Sequence, residues 1–396
     1  MKILISVVLV FTLIYNSSSD QNYQKFAVSL LNLLDPPNSS SIWSPTSIGL
    51  ALSMCAAGAK VNTLNQLLLA LDATTIGQLN TDSKKIINNV IGKLSENQVI
   101  VADRLYVQNK YQLYQNYKHD LNTFYNATIV PIDFSKQIAA ANTINKWVSQ
   151  ETKNLIKNII LPTDVNSLTR LVLINCLYFK AQWLKPFKKG STDTKPFQIT
   201  TTNTVNVQMM HTTSESFSYI NATDSIKAQI VEIPFNTTNN NKNLQLVFNV
   251  ILPNEGVTLA AVQKQLTANI LKTLLNSVKG AFIELSLPKF KTESTFDLKK
   301  PLQTVNVIDV FNVNKANLTG ISPSQPPPLY VTKVIHKAFI DVDENGVTAA
   351  AVTAVSISTT AIPTGIIVFN CNRPFLYLIR EKTSGLVLFV GTYYGK

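Results

Sequence analysis

Only three cysteines, Cys55, Cys176 and Cys371, occur among the 396 residues. So sparse and odd a set disfavours a disulfide framework; Cys55 sits in an apolar helical run, Cys176 in a strand-like run and Cys371 just before Arg373-Pro374-Phe375, and all read as small core hydrophobes and not as catalytic thiols. Histidine is equally scarce, at three copies. No His-Glu-x-x-His helix, paired-cysteine pattern, Gly-x-Ser-x-Gly elbow or phosphate-cradling glycine loop accompanies them, so no metal, cofactor or enzymatic activity is expected. His336, between Val334, Ile335 and Ala338, is expected to be a hydrogen-bonded interior residue. After the first residues no apolar run reaches roughly 18, the length needed to span a membrane. Internal repeats and dividing linkers are also lacking, which favours one domain over the two or three that length alone suggests.

What the chain has is a large apolar fraction and an excess of positive charge. It is 45% hydrophobic, with 35 Lys and Arg against 23 Asp and Glu and a net charge of +12. A pI near 9.4 invites a polyanion partner. The lysines gather locally as Lys185, Lys188, Lys189 and Lys195, as Lys289, Lys291, Lys299 and Lys300, and as Lys84, Lys85 and Lys93 on an amphipathic helix. No aromatic-interleaved groove or nucleic-acid motif goes with them, so solvated surface lysines are favoured and nucleic acid is not expected.

Lys2, the apolar stretch from Ile3 to Tyr15 and Ser17-Ser18-Ser19 form the pattern of a secretory signal peptide over residues 1–19, cut before about Asp20. A secreted, extracellular chain with a single domain over 20–396 follows. Asn38, Asn126, Asn221, Asn236 and Asn317 then become candidate glycosylation sites. Apolar spacing predicts helices from Asn22 to Leu34, Pro45 to Ala59, Ala139 to Ile156, Thr258 to Val278 and Leu298 to Val305, and one capped by Thr81-Asp82-Ser83 running toward Leu94. Strands are expected from Val99 to Val107, Ala281 to Phe290, Ile366 to Phe369 and Phe375 to Tyr393, the last with a turn at Lys382 to Gly385. They dominate Val205 to Leu252, and the continuous apolar run from Thr169 to Phe179 reads as a strand buried on both faces. Helices and strands segregate, so the fold class is α+β.

The most telling stretch runs from Glu344 to Pro363. After Glu344-Asn345-Gly346 no charge or proline appears until Pro363. With a period of two, one face is Val347, Ala349, Ala351, Thr353, Val355, Ile357 and Thr359, mainly apolar. The other, Thr348, Ala350, Val352, Ala354, Ser356 and Ser358, is small and increasingly polar. Such a segment can slip between two strands, because it donates hydrogen bonds on both sides and carries nothing costly to bury.

At these residues the chain resembles the serpins, whose exposed reactive-centre loop opens on a Glu-x-Gly hinge followed by small residues. The resemblance extends from about Asp20 to Lys396 through Ile42 to Ile48, Asn142 to Val148, Leu171 to Lys180, Leu287 to Phe290, Val334 to Phe339 and Arg373 to Leu376. It implies a serpin fold, with helices around a large mixed central sheet, further sheets and a reactive-centre loop at about 344–370. It also implies a monomer that inhibits a serine protease as a suicide substrate, through a covalent acyl complex. The alternative is a non-inhibitory serpin serving as carrier, chaperone or storage protein.

The resemblance assigns residues as well. Glu344, Gly346, Val347, Thr348, Ala349, Ala350, Ala351 and Thr353 match the hinge. Ser44, Ser47, Asn175 and His336 match the polar "shutter" under the main sheet; read alone, the serines would be a helix cap and Asn175 a strand-end turn. Trp183, Lys289 and Glu344 match the "breach" at the top of the sheet. The family's spacing places the cleaved bond at Thr360-Ala361, with Ile357, Thr359, Ala361 and Ile362 as alternative positions. Small and β-branched residues there suit elastase-like pockets, and the absence of Lys or Arg between Glu344 and Arg373 disfavours trypsin-like enzymes. Lys84, Lys85 and Lys93 correspond to the region where some serpins bind glycosaminoglycans. Val347 departs from the usual Thr or Ser, and its stiff branched side chain is expected to slow the first step of insertion.

Overall fold

Helix Pro45–Gly58 contains no charged residue and buries all but one of its residues, so it can only lie inside the molecule. Pro45 opens it without losing a hydrogen bond, and the Ser44 hydroxyl accepts from the Ser47 backbone N–H at 3.0 Å. The computed structural model describes residues 18–36, 38–94, 99–236, 244–323, 327–347 and 365–396, with side chains from residue 23 onward. Among these residues a seven-stranded and a ten-stranded sheet form the frame.

The seven-stranded sheet is mixed. Its order is Thr128–Ile132, Val99–Gln108, Leu171–Phe179, Val331–Asp343, then the short pieces Gly346–Val347 and Ala181–Gln182, while Phe290–Asp297 pairs with the free side of Val331–Asp343. Leu171–Phe179 is central and buried at every residue. Leu171, Leu173 and Leu177 join the main core with helix Pro45–Gly58, while Val172, Ile174 and Cys176 pack with Ala140, Ile144 and Val148 of helix Gln137–Glu151. Cover on both faces is why this run is continuously apolar instead of alternating.

The ten-stranded sheet is antiparallel except where Ile367–Asn370 joins Lys279–Pro288 in parallel. Cys55, Cys176 and Cys371 are all free and buried, and burial pushes the Cys55 thiol up to about 12.

Several boundaries differ from the expectations. The helix placed after Thr81-Asp82-Ser83 spans Ile76–Asn89; Thr75 caps it, its hydroxyl accepting from Gln78 N at 3.1 Å, and the Thr81 hydroxyl bonds back to the Gly77 carbonyl. Lys93 lies beyond this helix in the turn Ile91–Lys93 and so does not share it with Lys84 and Lys85. The stretch from Thr258 to Val278 is two helices, Leu259–Gln265 and Ala268–Asn276, because Thr267 caps the second. Gln137–Glu151 ends before Ile156, where the buried Thr152 hydroxyl donates to the Val148 carbonyl and accepts from Ile156 N. The first helix, Ser18–Leu34, begins just ahead of the expected cut near Asp20, and residues 1–17 of the expected signal peptide lie outside the described residues. No helix among the described residues is long and apolar enough to cross a membrane.

Candidate functional site

Strands Leu171–Phe179 and Val331–Asp343 run side by side in parallel from Val331↔Leu171 to Phe339↔Tyr178. Above that point they diverge, and Gly346–Val347 occupies the gap. Val347 lies opposite Val342 on one side and Ala181 on the other, and Gly346 opposite Asp343 and Gln182. A side-chain turn sets this up: the Asp343 carboxylate accepts from the backbone N–H of Asn345 at 2.8 Å and of Gly346 at 3.2 Å. Gly346 adopts φ +149, and a Cβ there would sit 2.2 Å from the Ala181 carbonyl oxygen, so only glycine fits. Val347 is 0% exposed. Burying its side chain contributes about 1.5–3 kcal/mol. Val347, whose branched side chain was expected to slow entry between strands, is seated between Val342 and Ala181 in the structure.

The three residues expected at the breach converge on this turn. Lys289 Nζ lies 2.9 Å from Glu344 Oε2, and Thr192 Oγ1 donates to Oε1 at 2.9 Å. Trp183 Nε1 donates to the Asp343 carbonyl and its backbone N–H to the Asn345 carbonyl, both at 2.9 Å, while its ring stacks on Phe235 at 4.7 Å. Burial alone would raise the Glu344 carboxyl; Lys289, a backbone amide and Thr192 together outweigh it and hold the group below its ordinary range. The contribution of this pair is therefore present above the ordinary carboxylate pKa and fades as pH falls through the depressed one. Lys289 is 40% exposed, so the pair itself is a modest latch.

Lower in the same seam lies the polar cluster. Asn175 and His336 are register partners across it, and Ser44, Ser47, Asn175 and His336 are all buried. The Ser44 backbone N–H donates to His336 Nε2 at 3.0 Å, so the ring proton must sit on Nδ1, which donates to Asn175 Oδ1. Burial lowers the His336 pKa to about 3, keeping the ring neutral as this bonding requires. Asn175 Nδ2 then donates to Ser47 Oγ at 2.5 Å and to Asp103 Oδ1. Among the described residues the cluster crosses the seam directly between His336 and Asn175, and beneath it the Ser47 N–H donates to Ser44 Oγ and joins the two arms.

Asp103 was not among the expected site residues. Its signal was in the strand alternation: it is in phase with Val99, Val101, Leu105 and Val107, an acid on an otherwise apolar face. Thr192 was also missed, since nothing local in the sequence ties it to Glu344.

Of the other residues expected in or near the site, Thr348, Ala349, Ala350, Ala351, Thr353 and the Thr360-Ala361 bond lie outside the described residues. Asn38, Asn126 and Asn221 are exposed, whereas Asn236 and Asn317 are half-buried. Lys85 pairs with Asp82 at 3.3 Å, and the Lys84 ammonium sits 5.9 Å from the centre of the Phe124 ring.

The family model for Serpin (serine protease inhibitor) matches residues 21–395. Leukocyte elastase inhibitor of Equus caballus is 32% identical over 378 residues, covering 93% of this chain and 97% of its own. Among solved structures, maspin superposes with a TM-score of 0.86 at 26% identity, over 96% of this chain and 99% of that one. Human thyroxine-binding globulin, in complex with its ligand, gives 0.83 at 25% identity, over 96% and 98% of the two chains.

Proposed function

The chain belongs to the serpin family, and from that premise we propose that it traps a serine protease by being cleaved in the 344–370 segment and drawing the freed strand into the seven-stranded sheet. The observation that carries this reading is Gly346–Val347 lodged between Val331–Asp343 and Ala181–Gln182, a strand begun at the top of a seam with eight register pairs still closed below it.

Continuing the register of Val342↔Val347 brings Ala349 opposite Ile340, Ala351 opposite Ala338, Thr353 opposite His336 and Val355 opposite Val334. Ile340, Ala338 and Val334 are buried, so the apolar face of the segment goes inward. Thr353 would deliver a hydroxyl at the level where the bond between His336 and Asn175 is lost as the strands part. The outward face is the small, polar one. The protease attacks the loop as a substrate and forms an acyl-enzyme. Insertion then carries the tethered protease away before water can release it.

The segment's chemistry favours an elastase-like target, and one relative bears the name of an elastase inhibitor. Incubation with a pancreatic-type elastase is expected to give a complex that survives SDS and to release a fragment beginning at Ala361. Cleavage without complex would sink the inhibitory reading and leave a non-inhibitory serpin. Secretion and the use of the exposed sequons Asn38, Asn126 and Asn221 go with this reading, since an extracellular protease would be met outside the cell.

A further inference from the structure

The seated piece Gly346–Val347 stops just above the point where the two long strands of the seam first touch. Phe339 is the last residue of Val331–Asp343 to pair with Leu171–Phe179, and its partner is Tyr178. It lies about 10 Å down the strand from Val342, the partner of Val347. The two rings stack across the seam, with centroids 6.0 Å apart and planes 13° from parallel. Among the described residues no other aromatic pair bridges these two strands.

The surroundings leave the rings to each other. Tyr178 is 3% exposed and Phe339 half-buried, yet neither joins the main core or the cluster under helix Gln137–Glu151. On the outer sides of the pair, Glu293 stands beside Phe339 and Ile100 beside Tyr178. Two residues down on the same face, Lys337 stands beside Cys176 but is bonded to Glu293 and to the Asn158 carbonyl. On the opposite face Ala338 and Leu177 belong to the main core, and below them His336 bonds to Asn175. The seam is therefore fastened directly at two levels: by a ring stack at its upper end and by a hydrogen bond farther down.

The turn above is anchored by Lys289, Thr192 and Trp183, so the strand is held in place as far as Val347. The stack is the next contact in its way. Seating more strand puts one further inter-strand spacing of about 4.8 Å between Tyr178 and Phe339 and takes the centroids to roughly 11 Å, past the limit of about 7 Å for ring contact. New ladder hydrogen bonds at this level form only after the two strands have parted. The stack is thus lost before anything replaces it, and its loss falls on the barrier to entry.

We propose that Tyr178 and Phe339 are positioning residues of the trap, a ring clasp that keeps the seam shut below Val347 and sets how fast a strand enters it. The inference deepens the proposed function and rests on it in taking strand entry as the step that the clasp controls.

The test is a double-mutant cycle of Tyr178→Leu and Phe339→Leu in the intact full chain, read by uptake of a synthetic peptide of sequence Thr348–Thr360 and by urea unfolding. Leucine keeps an apolar side chain and removes the ring. Each single variant should take up peptide about 2- to 12-fold faster than wild type, and the double variant no faster than the faster single, because the stack is broken only once. Tyr178→Phe keeps the ring and should keep the wild-type rate. Single variants no faster than wild type, a double variant in which the two effects multiply, or a Tyr178→Phe as fast as Tyr178→Leu overturns the proposal. Should peptide enter no variant, the insertion reading fails, and urea unfolding still decides about the clasp: coupling between the two positions supports it, and additive effects overturn it.

Discussion

Val347→Glu is expected to convert the protein from a trap into a substrate: the target protease still cuts the loop, but the yield of SDS-stable complex falls by at least about 100-fold. The position explains the size of the effect. Val347 is 0% exposed between Val342 and Ala181, and the nearest lysine of the breach, Lys289, is already bonded to Glu344. A carboxylate placed there loses its hydration without gaining a partner, a cost of several kcal/mol. Trapping depends on insertion outrunning deacylation, and each 1.4 kcal/mol added to the insertion barrier slows it about tenfold. Val347→Thr, which keeps the branched shape and buries one hydroxyl, should retain most of the trap. Complex and cleaved product are separated on a denaturing gel; a glutamate variant that traps as well as wild type would show that the hinge strand does not start the insertion.

The second large effect falls on stability. Asn175→Leu keeps the branched heavy-atom skeleton, though leucine is bulkier, but removes the side chain that joins His336 to Ser47 and Asp103, and is expected to cost about 3–5 kcal/mol. His336 Nδ1–H would lose its acceptor, while Ser47 and Asp103 would lose a shared donor, all at buried positions. Equilibrium urea unfolding reads the change directly. A cost below about 1 kcal/mol would mean that water or a rearranged rotamer replaces Asn175, and that the cluster is not the clasp described here.

Much of this architecture is legible in residue order alone, and the remainder is hidden for identifiable reasons. The unbroken apolar run ending at Phe179 announces a strand covered on both faces. Its parallel neighbour Val331–Asp343 alternates Val334, Ala338, Ile340 and Val342 with charged residues, but which strand it pairs with has no local cue, because pairing between distant segments is decided by packing. Helix Gln115–Tyr125 escapes notice although its buried Tyr117, Leu121 and Tyr125 recur at helical spacing, since the polar residues between them mask the pattern. The cap misplaced at Thr81-Asp82-Ser83 shows the ambiguity of serine and threonine: Thr75 caps while Thr81 bonds back within the helix, and the two are indistinguishable as letters. The breach residues came from family resemblance, and the structure brings all three together around one turn. Asp103 was overlooked because an acid in an alternating strand ordinarily marks the solvent face, whereas here the phase puts it inside.

Trapping requires that the intact chain be metastable, holding a strand outside a sheet that would be more stable with it inside. Heating intact protein and protein nicked once within the 344–370 segment, under identical conditions, tests this most directly. Completing the insertion would add ladder hydrogen bonds along the seam at about 0.5–1.5 kcal/mol each and bury further apolar side chains. The nicked form should therefore melt on the order of 10 °C or more above the intact form. Equal melting temperatures, or a lower one after cleavage, would contradict the claim.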